Sequence, residues 1–551
     1  MSRHPARTRL LFSLLLLSLP SPSQSADVSP AAPNPAYCSD PAAMESRSIP
    51  PLPASAPPGL RLLQVHSVFR HGSRTPYENY FCWNYDGATP PNGIGKWDCP
   101  GPAMIMAPPV RKQGVGGNGT DGAPPLLFEK WYDSLRPPSK NELGGTCHIG
   151  QLLKTGEAQE RALGGILREA YVGRLDSRTA LLNSSAYFDL PYQRAFRMRG
   201  DDQQRTLVSG QLVASSFFEG SDGDVVPYHT ADFDVDPIHP GTLTCPRLDD
   251  LQKEAETDPV FLARNFSESA NKLGQILTKQ LGGATFRNIL DCLMTQKCNK
   301  RPLPDILDDF VTEGDNSVYS RIVDHVSWNL AHRFKFNGGA YSKLAMGPMY
   351  ADIVAGLDGM TADDGAKTKE DMAKKNVPML HFYSGHDTTL MPMLASLGDS
   401  LWDGVWSPYA SYMVIEAYAA PNYPEAYPSG YAFRLVYNGD VLTQRIDACD
   451  GALCDLDVLR DAVRPFATWE RDCETVGETV PTGEETGGTM GVQSQVAGAD
   501  FLTWIGATLL ACFLSSGATA LYLTGGRCGR GVASGNDRLS LSEAQRDREI
   551  L

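Results

Sequence analysis

Two short apolar runs, more than 300 residues apart, each stop abruptly on a charged triplet, and this pattern constrains the fold more than any other feature of the chain. Leu62 to Phe69 is rich in apolar and β-branched residues and ends at Arg70-His71-Gly72, while Val377 to Tyr383 leads into Gly385-His386-Asp387. A run of this length with a sharp change of polarity reads as a buried strand feeding a loop. After the second triplet, Thr388 to Leu397 reads as a helix, and between the two runs Leu163, Ile166, Leu167 and Ala170 repeat at helical spacing. Alternating strands and helices predict an α/β fold whose mostly parallel sheet is flanked by helices. Such sheets bind ligands at the carboxyl ends of their strands, which is where both triplets fall.

A chain of 551 residues has room for two to four average domains, but its ends read as something other than folded body. Arg3, Arg7 and Arg9 precede an apolar run from Leu10 to Leu19 that is too short to span a bilayer and ends near the small residues Ser25 and Ala26, so residues 1–25 are expected to be a cleavable signal peptide. Residues 26–59 are rich in Pro, Ser and Ala and are expected to form an extended lead-in, with folding starting near Leu60. The body then runs over 60–473, and within it 246–376 reads as a largely helical insertion, or cap, with helix-like stretches at Asp258 to Leu281 and Ser317 to Phe334. Residues 474–499 hold Gly, Thr and Glu with almost no large apolar side chain and are expected to be a flexible stalk. Phe501 to Thr524 follows with 24 uncharged residues, enough at about 1.5 Å per residue to cross a hydrocarbon core of about 30 Å. One transmembrane helix is therefore expected over 500–524, with 525–551 as a cytosolic tail whose Arg527 and Arg530 suit the positive-inside bias. A lipid-anchor signal would end the chain at its apolar tail, whereas a polar segment follows here.

Cysteine usage agrees with a type I single-pass protein of the secretory pathway. Of twelve cysteines, Cys512 and Cys528 fall in the span and tail, leaving ten on the lumenal side, an even number in an oxidising compartment. Cys292 with Cys298, and Cys449 with Cys454, are close enough to close small loops. Sequons for N-glycosylation at Asn118, Asn183 and Asn265 lie on the same side. A formal charge of −15 argues against a nucleic-acid partner, which needs a dense basic face. It leaves room for a small anionic substrate held by a local arginine cluster.

Such a cluster stands at the end of the first strand. Val68-Phe69-Arg70-His71-Gly72-Ser73-Arg74-Thr75-Pro76 places two guanidinium groups around one imidazole. Arginine offers a planar fork of donors matched to phosphate oxygens and stays charged at any working pH. The glycine after the histidine is read as permitting close backbone approach by a ligand.

Arg-His-Gly-x-Arg-x-Pro resembles the signature of the histidine acid phosphatases, a branch of the histidine phosphatase superfamily. Ser384-Gly385-His386-Asp387-Thr388 is similar to that family's His-Asp motif. Arg199-Gly200-Asp201-Asp202-Gln203-Gln204-Arg205-Thr206 is similar to the family's Arg-Ser-Thr-Asp-x-x-Arg-Thr, departing from it at Gly200 and Asp201. Weaker matches are Gly150-Gln151-Leu152 with Gly156, Val226-Pro227-x-His229-Thr230, and Tyr409-Ala410-Ser411 leading to Glu416. The resemblance implies an acid phosphomonoesterase in which His71 attacks phosphorus, Asp387 protonates the leaving oxygen, and Arg70, Arg74, Arg199 and His386 hold the phosphoryl oxygens. Arg197 rivals Arg199, but counting back from Arg205-Thr206 places Arg199 at the family position. The scheme calls for no metal and no cofactor.

A phytase or inositol polyphosphate phosphatase would share these motifs. Its densely anionic substrate predicts extra basic residues between Tyr77 and Cys147, where Lys96, Arg111, Lys112, Lys130, Arg136 and Lys140 form no tight cluster. An inactive phosphate-binding receptor predicts loss of the nucleophile, an arginine or the acid, and none is lost. His229, His239, Asp234 and Asp236 lie close together without a recognised metal-ligand spacing. His66, His148, His325, His332 and His381 read as structural or surface residues, and His229 as a brace of the pocket. The expected partner is a small phosphate monoester; a homodimer is allowed. The terminal Glu549-Ile550-Leu551 only faintly resembles a sorting signal, leaving a lysosome-like compartment and the cell surface level.

Overall fold

The computed structural model describes residues 35–77, positions 97, 99 and 147, and 149–473 apart from short interruptions, the longest at 302–310. The signal peptide, stalk, transmembrane helix and tail expected over 1–25, 474–499, 500–524 and 525–551 lie outside the described residues, among which no helix is long and apolar enough to cross a membrane.

In chain order the elements are α1 (Pro35–Cys38), α2 (Pro41–Glu45), β1 (Arg61–Arg70), α3 (Lys154–Tyr171), β2 (Phe196–Gly200), α4 (Gln204–Phe217), β3 (Tyr228–His229), α5 (Arg247–Thr257), α6 (Pro259–Asn265), α7 (Glu268–Leu281) and α8 (Phe286–Cys298). A small hairpin, β4 (Val311–Thr312) and β5 (Asn316–Ser317), leads to α9 (Val318–Thr361) and α10 (Lys369–Lys375). Then come β6 (Leu380–Gly385), α11 (Asp387–Ser396), β7 (Tyr412–Ala419), β8 (Tyr431–Tyr437), β9 (Asp440–Val441), β10 (Cys454–Asp455) and α12 (Leu456–Ala467).

The main sheet runs β10-β8-β7-β1-β6-β2-β3, with β9 on β8. It is mixed rather than mostly parallel: β1–β6, β6–β2 and β2–β3 pair parallel, whereas β1–β7, β7–β8, β8–β10 and β8–β9 pair antiparallel. The cause lies in the connections. Helices α3 and α4 provide the long crossovers that parallel strands of one sheet need, while β7, β8 and β9 follow one another through shorter links without a helix, which suit antiparallel neighbours. Inserted between β1 and β2, β6 pairs with β1 so that Gly385 stands beside Arg70. The two charged triplets, distant in sequence, thus leave adjacent strands side by side.

Both runs are apolar along their length because both faces of the sheet are covered: β1 is buried from Leu62 to Arg70 and β6 throughout. Helix α3 packs on α4, and α9 packs on α11 and α12. The single helix read over Asp258 to Leu281 is two, with Asp258 capping α6 through the amides of Val260 and Phe261. Helix α9 is interrupted at Phe336–Gly339, where Asn337, Gly338 and Gly339 take positive φ.

The lead-in is not extended. Helices α1 and α2 begin at Pro35, and Met44, Ile49, Leu52 and Ala56 insert into the main core. Few apolar side chains suffice because the segment is also tied down by Cys38–Cys298 and by Arg47 donating to the Tyr409 carbonyl at 3.0 Å. Cys298 therefore bonds Cys38 and not Cys292, while Cys449–Cys454 forms as spacing suggested; Cys99–Cys147 and Cys245–Cys473 complete the described bridges.

Candidate active site

The loop after β1 is held from three sides before any ligand arrives. The His71 amide donates to the Gly385 carbonyl at 2.9 Å, joining it to β6, and the Ala410 amide donates to the His71 carbonyl at 3.3 Å. Helix α3 supports the loop from below: Gln159 accepts from the Ser73 amide at 2.7 Å, and Ser209 of α4 accepts from the Gly72 amide at 3.3 Å. Gly72 is required by this packing, since a Cβ there would lie 2.6 Å from the Gly156 carbonyl oxygen. A helix backbone makes this close approach, a requirement on Gly72 that the sequence reading did not foresee.

This scaffold fixes the chemistry of His71. The imidazole is buried, and its Nδ1 lies 2.8 Å from the Gly72 carbonyl. A carbonyl only accepts, so Nδ1 carries the proton and the lone pair stands on Nε2. Burial, followed by the charges of Arg205, Arg70, Arg74 and His386, holds the imidazole well below its ordinary range, which keeps that lone pair free of a proton in acid.

Arg70, at the end of β1, is buried, pairs with Asp387 at 2.7 Å, and lies over the Tyr409 ring at 4.4 Å. Arg74 pairs with Asp291 of α8 at 2.8 Å. His386, one residue before α11, sets its ring 5.4 Å from that of His71 and faces the Asp201 carboxylate through Nε2 at 3.0 Å. Asp201 is fully buried; burial would raise its carboxyl, but His386 outweighs that and lowers it to about 2, so Asp201 is an ionised acceptor and Nε2 of His386 is the donor. Asp387, first residue of α11, accepts from the Trp406 indole N–H at 2.7 Å and from the Thr388 amide at 2.8 Å. Burial pushes the Asp387 carboxyl up, but Arg70, Trp406, Arg74 and His386 together bring it below the usual range.

Arg70, His71, Arg74, His386 and Asp387 therefore meet at one point. Arg199 is held differently: its guanidinium pairs with buried Asp236 at 3.2 Å and is not among the leading charges on His71 or Asp387. Arg197 pairs with Asp352 at 3.1 Å. The guanidinium that acts most strongly on His71 is Arg205, on the first turn of α4; it is buried, lies over the Tyr77 ring at 4.8 Å, and is lowered to about 10 by burial and by Arg74. Sequence reading quoted Arg205 as part of a motif without assigning it a role. Asp201, Trp406 and Tyr37, whose hydroxyl accepts from Arg70 at 3.3 Å, were also missed. Of the other histidines, His239 is buried 6.2 Å from His386, while His229 is exposed in β3. Asp234 lies outside the described residues.

The comparisons with known proteins agree with this geometry. The pattern that defines the histidine phosphatase superfamily (branch 2) matches residues 61–438. Counting factor 60 of Dictyostelium discoideum is 25% identical over 417 residues, covering 74% of this chain and 86% of the relative. Human lysophosphatidic acid phosphatase type 6 is 23% identical over 412 residues, covering 74% of this chain and 84% of the relative. Bovine lysosomal acid phosphatase is 28% identical over 292 residues, covering 49% and 60%. A match across two thirds of the chain, on a sheet that delivers both signature triplets to one point, leaves a single assignment: the chain belongs to branch 2 of the histidine phosphatase superfamily and is a histidine acid phosphatase, a phosphoric monoester hydrolase.

Proposed function

We propose that His71 is the nucleophile and Asp387 the proton donor of a double displacement. The observation that carries this reading is the Nδ1 contact of His71 to its own loop, which leaves Nε2 unprotonated among positive charges. Nε2 attacks phosphorus, a P–N bond forms, the ester P–O bond breaks, and the leaving oxygen takes the Asp387 proton. Water then attacks phosphorus, returns a proton to Asp387 and breaks the P–N bond, releasing inorganic phosphate. Arg70 and Arg74 hold the phosphoryl oxygens and offset charge that spreads over them in the transition state, and His386, whose Nε2 proton rests on Asp201 in the free enzyme, joins them by turning that donor to a phosphoryl oxygen. We assign the remaining guanidinium to Arg205 rather than Arg199, because Arg205 leads the charges on His71 and Arg199 is not among them.

Asp387 rests ionised and must gain a proton before it gives one. A phosphate ester binding among the arginines brings negative charge beside the carboxyl and raises it, so turnover is favoured in acid. The disulfides support a lumenal or extracellular catalytic body, and we retain the type I arrangement with 500–524 as the anchor.

The test is phosphate release from an aryl phosphate by the purified enzyme, with trapping of labelled phosphohistidine. His71→Ala should lose essentially all turnover and all label while remaining folded. Asp387→Asn should slow an alkyl phosphate about 10²–10⁴-fold and an activated aryl phosphate far less, since a good leaving group needs little protonation. Labelled His71→Ala would remove the nucleophile assignment, and equal losses on both substrates would remove the donor assignment.

A further inference from the structure

Trp406 stands in the loop between α11 and β7, 19 residues beyond Asp387, and no motif reaches it. Its half-buried indole packs against two separate apolar clusters, the main core around the sheet and a smaller one built by α7, α8 and the start of α9. The loop around it is fixed as well: the Trp402 indole donates to the Val405 carbonyl at 2.8 Å, the Val405 amide donates to Asp403 at 2.9 Å, and Arg70 donates to the Ser407 carbonyl. So wedged, Trp406 directs its N–H at Oδ2 of Asp387, the same oxygen that Arg70 pairs with, while Oδ1 takes the Thr388 amide.

We propose that Trp406 is a positioning residue of the reaction: its indole N–H holds Asp387 in the orientation of the donor and decides how high the pH can rise before that carboxyl no longer carries the proton it must deliver. The inference rests on Asp387 being the donor. Three donors meet the carboxylate, and each favours its ionised form over the protonated one. Arg70 has a second task, because an incoming phosphoryl group competes for its guanidinium. The Thr388 amide is backbone and constant. Among the described residues, Trp406 is thus the one side chain that hydrogen-bonds Asp387 without also serving the phosphate. The groups that face Asp387 are Arg70 from β1, Arg74 from the loop beyond it, His386 from its own turn, Arg205 from α4, Tyr37 from α1 and Trp406. Of these, Trp406 and Tyr37 neither carry nor gain a charge in acid, and Tyr37 hydrogen-bonds Arg70.

The experiment is the pH profile of kcat for an alkyl phosphate at saturating concentration, which reports the donor in the complex. Trp406→Phe keeps an aromatic wedge and deletes the N–H. Losing one hydrogen bond to a carboxylate should move the alkaline limb up by about one pH unit. Competitive inhibition by inorganic phosphate in acid should be unchanged, as the arginines are untouched. Trp406→Met, an unbranched side chain without an N–H, should move the limb the same way, which separates the hydrogen bond from the ring if the Phe variant folds poorly. Asp387→Asn is the control. If it abolishes the limb while both Trp406 variants leave the limb in place, the proposal falls and the donor assignment survives. If the limb persists in Asp387→Asn, the donor assignment falls and the proposal with it. Opposite shifts in the two Trp406 variants would also overturn it.

Discussion

Strands β1 and β6 each carry one histidine and are followed, five residues on and just past the strand end, by another, and the two resulting pairs have opposite characters. His71 and His386 leave the strand ends with ring centroids 5.4 Å apart among arginines and carboxylates. His66 and His381 lie further back on the same strands, stacked at 4.2 Å, and their nearest partners are neutral: Gln64 accepts from or donates to both rings at 3.1 and 3.4 Å, and the Tyr383 hydroxyl lies 3.4 Å from each. All four imidazoles are lowered by burial first of all. A depressed, buried histidine is therefore not a sign of catalysis in this molecule. What separates the pairs is access and unspent charge. Helix α9 lies directly over the inner pair, where a Cβ on Gly356 would come 2.8 Å from His66, so nothing else fits there. At the outer pair three guanidinium groups, Arg205, Arg70 and Arg74, lead the charges on His71, whereas at the inner pair the one guanidinium that acts on both rings, Arg197, is paired with Asp352. A cluster of cations around one uncharged imidazole is a place kept for an anion.

The largest effect expected from this contrast is at Arg205. Arg205→Met should cost about 10²–10³ in turnover, the usual loss when one preorganised donor to a transition state is removed. It should not lower the melting temperature, because it takes one cation out of a cluster in which Arg74 and Arg205 repel. Loss of activity together with loss of stability would mean that Arg205 is structural, like the inner pair. The same substitution at Arg199 should cost less turnover, since that guanidinium is not among the leading charges on His71.

The inner strands and the two triplets were legible in the sequence because strand burial on both faces leaves an uninterrupted apolar run and the chemistry follows it directly. The pairing of β7 and β8 was not, since nothing in an apolar run records the direction of its neighbour. Arg199 and Arg205 share one motif and differ only in what meets them: Asp236, brought from beyond β3, takes the first and leaves the second. Gly200-Asp201 looked like a blemish in that motif, yet Asp201 is the carboxylate that orients His386, a contact 185 residues long in the chain. The lead-in misled because composition averages hid Met44, Ile49 and Leu52, each of which finds a place in the core.

A smaller effect should appear when phosphate is added. A ligand held by the outer pair and its arginines stabilises the folded state by mass action, about 2.7 kcal/mol at a hundred times its Kd. Thermal unfolding with and without inorganic phosphate should show this gain in the wild type. Arg205→Met should show much less of it at the same concentration, and His381→Gln should retain it in full. Retention in the Arg205 variant would move the phosphate site elsewhere.

The smallest effect concerns stability in acid, where the inner pair is expected to work against an acid enzyme. His381 is held at about 3 in the folded protein, against 6.5 for an ordinary imidazole, first by burial and then by Arg197. Below pH 6.5 the unfolded chain takes up a proton at this position and the folded protein does not. The contribution of His381 is thus fully present above pH 6.5 and is lost as pH falls from 6.5 toward 3, at no more than about 1.4 kcal/mol per pH unit. Between pH 6.5 and 5 that is about 2 kcal/mol. His66 adds to it in the same direction. Asp201, lowered to about 2, loses its contribution only below about pH 4 and does not enter this window. His71 and His386 are lowered too, so the wild-type slope alone does not isolate the inner pair, but a difference does. His381→Gln keeps a polar group near Gln64 and Tyr383 and has no proton to gain. Denaturant unfolding of both proteins at pH 7 and pH 5 should find the variant less stable at pH 7, through imperfect packing under Gly356, and closing on the wild type by about 2 kcal/mol at pH 5. Parallel losses between the two pH values would mean that His381 is already protonated in the folded protein, and the distinction drawn between the two histidine pairs would then rest on access alone.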